Sequence, residues 1–482
     1  MPKLIRAATI LCAMLLSASL LRAQSDSLLS PARAQADFDV LRHAAEEAHG
    51  GYDRFITRAE IDRRMAAHRA ELNHPMSRAA FSGVLAEAIA EIGDGHARLE
   101  LDSVTTAALA GARVFPLRVQ LDSDRLVVQF NDSPVDSTIR PGMEILQING
   151  RPIADIIRVL IPRVSRDGFI ETGRRRRLAR TFPSLLWLYV DQKDTYAVTA
   201  RDASGRSITS TLAGIIERDR STIVNPVNAT IAANIARLDG PPDNISLEFV
   251  DNTDIARLRI RSFGGEGFLS TLDSAFSEMR AKRTKFLILD LRENGGGVDE
   301  YGAALVSHFV DKPFRYFDYI HVTTIAPSFA TWPARTFEMM REGTQPHPGG
   351  GFRVMPKLHP GVAEQQPSKS QFPGKLIVLI DGGSFSTTAD VAAQLRSLGR
   401  ATFVGQETAG AYEGNTSGLN ALIVLPNSRL RLKVMMYGYW NAVKPPAVRG
   451  RGTLPDYAVT RSVSDLLRGT DPQLERAIAL AR

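Results

Sequence analysis

At 482 residues, 44% hydrophobic and 23% charged, the chain has ordinary globular composition and is too long for one small core, so roughly two or three domains are expected. A net charge of +7 is mild for this length, and the one dense basic run, Arg174 to Arg177, has no aromatic interleaving and reads as a solvated helix face. No nucleic-acid motif accompanies it, so a DNA or RNA partner is not expected.

The first residues carry Lys3 and Arg6, an apolar stretch from Ala7 to Leu21, and Arg22-Ala23-Gln24, the pattern of a cleavable secretory signal over 1–23. The stretch is short for a membrane span, so no stable membrane insertion is expected after cleavage. The single cysteine, Cys12, falls inside this signal, which leaves the mature chain without disulfide or thiol. Export without disulfides suits a bacterial periplasm or the cell exterior.

Residues 24–110 are helical in pattern. Phe38, Leu41, Ala45 and Ala48 share one face, Thr57 with Glu60 makes a capping box, and Phe81, Val84, Leu85, Ile89 and Ile92 continue the period. This predicts an N-terminal helical bundle ending at Gly93-Asp94-Gly95-His96, after which Arg98-Leu99-Glu100-Leu101 alternates like a strand. From 111 to 215 short strands dominate. Pro141-Gly142 and Asn149-Gly150 punctuate an apolar alternation, as in PDZ domains, and a small β-rich domain without a peptide groove would read alike.

Residues 216–244 read as a connector. From 245 to 482 strands alternate with helices, which predicts a layered α/β domain. Two of its units correspond: Phe286 to Leu291 runs into Asn294-Gly295-Gly296-Gly297 and a helix, and Leu376 to Ile380 runs into Gly382-Gly383-Ser384-Phe385-Ser386 and a helix. Between them, about 316–375 is rich in proline and glycine and reads as an insertion or lid.

A hydroxyl on a tight turn between a buried strand and a helix meets free backbone N–H groups and the helix dipole, which favour a developing oxyanion. An ordinary N-cap serine has the same local sequence. No His-x-x-x-His or His-Glu-x-x-His spacing occurs, so neither metal nor other cofactor is expected.

Together, Gly93 to His96, Pro141 to Gly150, Asp290 to Gly297, the Ser386 turn, Gly405 to Gly410 and Gly450 to Asp456 resemble the C-terminal-processing (tail-specific) serine protease family. The resemblance covers nearly the whole mature chain. It implies a helical region and a PDZ-like domain ahead of a crotonase/ClpP-like α/β catalytic domain. It also implies Ser386 rather than Ser384 as nucleophile, with oxyanion donors at the Thr387 N–H and at Gly296 or Gly297. Where the processing branch has its lysine base this chain has Ala411, so His96, which matches the histidine of the tricorn-core branch, becomes the expected base. For the third group the resemblance offers no match, since Gly95 and Arg449 stand where that branch has a serine and an acid. Asp94 and Glu407 are the candidates, with Glu407 preferred.

The expected activity is therefore that of an exported serine endopeptidase acting on a peptide or unfolded protein through an acyl-enzyme. The same fold would also serve a noncatalytic peptide- or ligand-binding module, or an esterase or amidase.

Overall fold

The computed structural model describes residues 28–330 and 332–482. The signal expected over 1–23, with Cys12, lies outside the described residues. Among those described, no helix is long and apolar enough to cross a membrane.

Helices Pro31–Ala48, Arg58–Glu71 and Arg78–Ala90 each start on a hydroxyl, with Ser30, Thr57 and Ser77 accepting the N–H groups of Arg33, Glu60 and Ala80. Only half of the expected capping box forms, because the Glu60 carboxylate is drawn to Arg63 and Arg64. The stripe Phe38, Leu41, Ala45 and Ala48 is buried, as are Phe81, Leu85, Ile89 and Ile92. Their core is not the bundle's own. It continues unbroken into Leu287, Val378, Val391 and Tyr439. The helices thus form a layer on the C-terminal region, fixed there in part by strand Arg98–Glu100, which pairs antiparallel with Arg431–Lys433.

A separate core containing Phe115, Leu126, Ile145, Leu186 and Tyr196 belongs to an antiparallel sheet. Its main path runs Leu117–Asp122, Arg125–Asn131, Glu144–Ile148, Thr195–Arg201, Ser207–Ala213. Asn149 and Gly150 turn between strands with φ of 51° and 76°, the paired positive values that an Asn-Gly hairpin turn needs. Helix Glu171–Tyr189 covers this sheet and carries the arginine run. The expected connector contains a helix of its own, Ala229–Asp239, and is pinned by Asn228 to the backbone of Asn131.

In the C-terminal region, strands Ile245–Phe249, Ile255–Ile260, Phe286–Asp290, Lys375–Ile380, Ala401–Gly405 and Tyr457–Ala458 form one sheet in that order. The first pair is antiparallel and the rest are parallel. Its two central strands, Phe286–Asp290 and Lys375–Ile380, are near-continuous apolar runs because both faces are covered: Leu287 and Val378 join the main core, while Ile288, Ile377 and Val404 pack toward Ala477 of helix Pro472–Ala481. The fold is thus multidomain α/β.

A second sheet places Arg431–Asn441 between Arg98–Glu100 and Phe317–Val322, with Phe352–Val354 and Thr344–Pro346 beyond, and with Thr416–Val424 also paired to Arg431–Asn441. Phe317–Val322 and helix Ala334–Gly343 fall inside the stretch read as an insertion or lid. That reading needs correction in its first part, where Phe317, Ile320 and Val322 are fully buried. The surrounding prolines and glycines masked a strand.

Candidate active site

Strand Lys375–Ile380 delivers the chain to Asp381, and helix Thr387–Ser397 carries it away. Between them Ser386 takes φ 56° and ψ −133°, a conformation a side-chain-bearing residue adopts only when its surroundings impose it. Its hydroxyl makes no capping bond to the helix, so the serine does not act as an N-cap. The neighbouring Ser384 is structural. Its side chain is fully buried, donates to the Leu291 carbonyl at 2.9 Å and accepts the Asp381 N–H at 3.1 Å.

His96 comes from the other end of the chain. The strand pairing just after it, and the Gly168 N–H bonded to the Gly93 carbonyl, bring the Gly93 to His96 turn beside the serine. His96 Nε2 lies 3.2 Å from Ser386 Oγ, and the ring stacks on Phe385 with centroids 4.4 Å apart. Gly95 allows this closeness, since a Cβ there would come within 2.8 Å of both Asp167 and Phe385. A serine at 95 would meet the same obstruction.

Asp94 is the carboxylate that contacts His96 directly. Its Oδ1 accepts the His96 backbone N–H at 2.7 Å and sits 3.8 Å from His96 Nδ1, for which no hydrogen-bond partner is found among the described residues. Its Oδ2 meets His49 Nε2 at 2.8 Å. Because the Gly51 N–H donates to His49 Nδ1, the proton of a neutral His49 resides on Nε2 and is donated to Asp94. Burial pushes the Asp94 carboxyl up, but the His49 hydrogen bond and the neighbouring imidazoles outweigh it and hold the group at about 2. Burial pushes His96 down, to about 4, against the pull of Asp94. The ring nevertheless keeps 16% of its side-chain surface exposed, which tempers that shift.

The glycine loop abuts the serine turn. The Phe385 N–H donates to the Asn294 carbonyl, and a Cβ on Gly296 would fall 2.6 Å from Ser386 Cβ and 3.0 Å from Thr387 N. The expectation for Gly296 as an oxyanion donor is corrected, because its N–H already donates to Asn294 Oδ1 at 2.9 Å. Two of the three expected N–H groups stay available. Thr387 opens the helix and so has no intrahelical acceptor, and no acceptor for the Gly297 N–H is found among the described residues.

Glu407 is corrected as well. Arg451 grips its carboxylate with two bonds of 2.8 Å and the Gly452 N–H adds a third, so it braces the Gly450 to Asp456 turn and makes no hydrogen bond to His96. The arginine run is not a solvated face: Arg176 pairs with Glu293 beside the glycine loop, and Arg177 donates to the carbonyls of Gly95 and Ser165.

Sequence reasoning missed Asp167 entirely. Its two oxygens accept the N–H groups of Gly95 at 2.6 Å and Ala411 at 3.1 Å, joining the histidine turn to the position where the processing branch has its lysine. Burial, and then the charge of Asp94, raise its carboxyl to about 7. Asp94, His96 and Asp167 each bring a ligand-type atom within 4.8 Å of the others. All four carboxylate oxygens of that group already accept N–H groups, so the cluster reads as a hydrogen-bonded frame.

A buried strand, a strained serine, a histidine within reach and two unclaimed N–H groups are the parts of an acyl-transfer site. Residues 254–459 match the model of peptidase family S41. That stretch is thus an S41 domain, the domain of the tail-specific proteases, and the chain that carries it is a serine-type peptidase. Two solved structures of mature CPAF, one complexed with lactacystin, are each 16% identical to it, with TM-scores of 0.63 and 0.65. They cover 94% of this chain and 96% and 98% of their own, a likeness of fold. The photosystem II D1 C-terminal processing protease is 14% identical, with a TM-score of 0.42, over 91% of this chain and 98% of its own. No curated protein matches the sequence.

Proposed function

We propose that the protein is an exported endopeptidase that opens peptide bonds through an acyl-enzyme on Ser386, with His96 as general base. The observation that carries this reading is the 3.2 Å approach of His96 Nε2 to a Ser386 hydroxyl that caps nothing.

His96 holds its proton on Nδ1, leaving Nε2 to accept. Ser386 Oγ attacks the scissile carbonyl carbon and its proton passes to His96 Nε2. The carbonyl electron pair becomes an oxyanion facing the N–H groups of Thr387 and Gly297. Collapse breaks the C–N bond as His96 returns the proton to the departing amine. Water then repeats the sequence and releases the acid. Asp94 steadies the imidazolium through its charge, and His49 keeps Asp94 turned toward it. Glu407 has no role in the proton transfers. Export rests on the signal-type pattern of 1–23.

The substrate is an extended, unfolded segment, in keeping with the family. The test is digestion of a denatured, reduced protein, with product termini read by mass spectrometry. The wild type should produce internal cuts, whereas Ser386→Ala and His96→Ala should fall by about 10³-fold or more. Peptides left intact while simple esters are cleaved would turn the reading to an esterase. Secreted protein should begin near Gln24, and a retained leader would contradict export.

A further inference from the structure

Behind Asp94, on the side held by His49, lies a cavity of about 360 Å³ whose wall includes His49, Tyr52, Arg54, Tyr319, Arg353 and Trp440. Arg54 is 5% exposed, and none of its three guanidinium nitrogens has a hydrogen-bond partner among the described residues. A buried guanidinium without an acceptor is costly, so its persistence calls for a counter-charge. The carboxylates of Asp94, Asp167 and Glu413 lend it charge from a distance, but none accepts a hydrogen bond from it. Both oxygens of Asp94 and of Asp167 accept other N–H groups, and Glu413 is engaged by Arg449 and the Gly450 N–H. Burial accordingly lowers the Arg54 guanidinium to about 10.

Arg353 lines the same cavity. It donates to His321 Nδ1 at 2.9 Å, and no carboxylate pairs with it among the described residues. Both guanidinium groups lie against aromatic rings, Arg54 at 3.9 Å from the Trp440 centroid and Arg353 at 3.8 Å from that of Tyr319. Rings on the faces leave the N–H edges for a planar or tetrahedral acceptor. The third arginine of the wall, Arg58, is already neutralised by Glu46 and Asp62, and Asp53 at the exposed rim disfavours a bulky polyanion.

We propose that this cavity binds a small oxyanion, a carboxylate or a phosphate, between Arg54 and Arg353. The bound anion would sit one residue, His49, away from the carboxylate that serves the catalytic histidine. The site stands on its own geometry and does not depend on the assignment of Ser386 as nucleophile.

Calorimetric titration of the full mature chain with inorganic phosphate and, separately, with sodium acetate tests this, with sodium chloride holding ionic strength constant. Saturable binding of at least one is expected; phosphate alone identifies the tetrahedral ligand class, and acetate binding the carboxylate class. Arg353→Gln should weaken that binding at least tenfold. Arg54→Met should abolish the anion-dependent rise in Tm and, by removing an unpaired buried charge, raise Tm in anion-free buffer. Neither anion binding saturably, or undiminished binding in Arg353→Gln, would overturn the proposal. Should Arg54→Met fail to fold, the Arg353→Gln titration still decides.

Discussion

Asp94 carries three tasks with two oxygens: it anchors the His96 backbone, receives the His49 proton and faces His96 Nδ1. Asn at 94 keeps the shape, loses the charge, and must turn an amide N–H toward either the His96 N–H or His49 Nε2–H. Asp94→Asn should therefore lower kcat by about 10²–10⁴-fold, with KM little changed, and lower Tm, since a buried donor left unmet costs about 1–3 kcal/mol. Glu407→Gln should leave kcat within about threefold, because the carboxylate acts on Arg451 and Gly452 instead; a catalytic loss as large as that of Asp94→Asn would reverse the two roles.

The same neighbourhood sets the pH dependence. A histidine whose folded value falls from 6.5 to about 4 stays neutral, and so competent as a base, well below pH 6.5. The acid limb of kcat/KM is expected between pH 4 and 6.5, nearer the upper end the more the exposed edge of the ring is solvated. For stability the sign follows from proton uptake. The unfolded chain binds the His96 proton first as pH falls, so this contribution is present above 6.5 and is lost as pH drops toward 4. Asp167, raised to about 7, acts oppositely, its contribution present below 3.8 and lost as pH rises through 7. A pH series of kcat/KM with an acid limb at 7 or above would contradict this account. His96 and Ser386 were singled out in the sequence by the motifs that resemble the family, and the fold brings the two side chains together. Asp94 and Glu407 could not be ranked, because the choice depends on which carboxylate the arginine at 451 takes.

At the level of elements, the two strand-to-helix turns interlock. Asn294 binds the Ile260 carbonyl through its amide N–H, the Gly296 N–H through its Oδ1, and the Phe385 N–H through its main-chain carbonyl. Gly296, at φ 100° and with no room for a Cβ against Ser386, is the residue on which this fit depends. Gly296→Ala should lower kcat by about 10²-fold or more, the scale of a lost oxyanion donor, with the serine turn displaced. Activity near wild type in a folded Gly296→Ala protein would show that the loop does not shape the site. Both turns were readable in the sequence because a buried apolar run, a glycine turn and a helix are local signals. The arginine run was misread for the opposite reason: four adjacent cations look solvated until Glu293, 117 positions away from Arg176, is brought to them.

Across the whole molecule, the first helices and the C-terminal sheets share a core, whereas the sheet of Leu117 to Ala213 has its own. The turn that carries His96 is thereby held by the same packing that holds the Ser386 turn. Phe38→Ala should cost about 3–5 kcal/mol and lower the calorimetric transition of the active-site unit. Phe182→Ala should act on the other core. If Phe38→Ala melted the helices alone and left the remaining transition untouched, the shared core would be disproved. None of this was visible along the chain, where the helices look self-contained, because the pairing of Arg98–Glu100 with Arg431–Lys433 joins segments more than 300 residues apart.

The most direct test of the central claim is reaction with a fluorophosphonate, followed by peptide mapping. A stoichiometric adduct on Ser386 is expected in the wild type, and its loss in a His96→Ala protein that still melts cooperatively. An adduct on another residue, or equal labelling of Ser386 without His96, would contradict it.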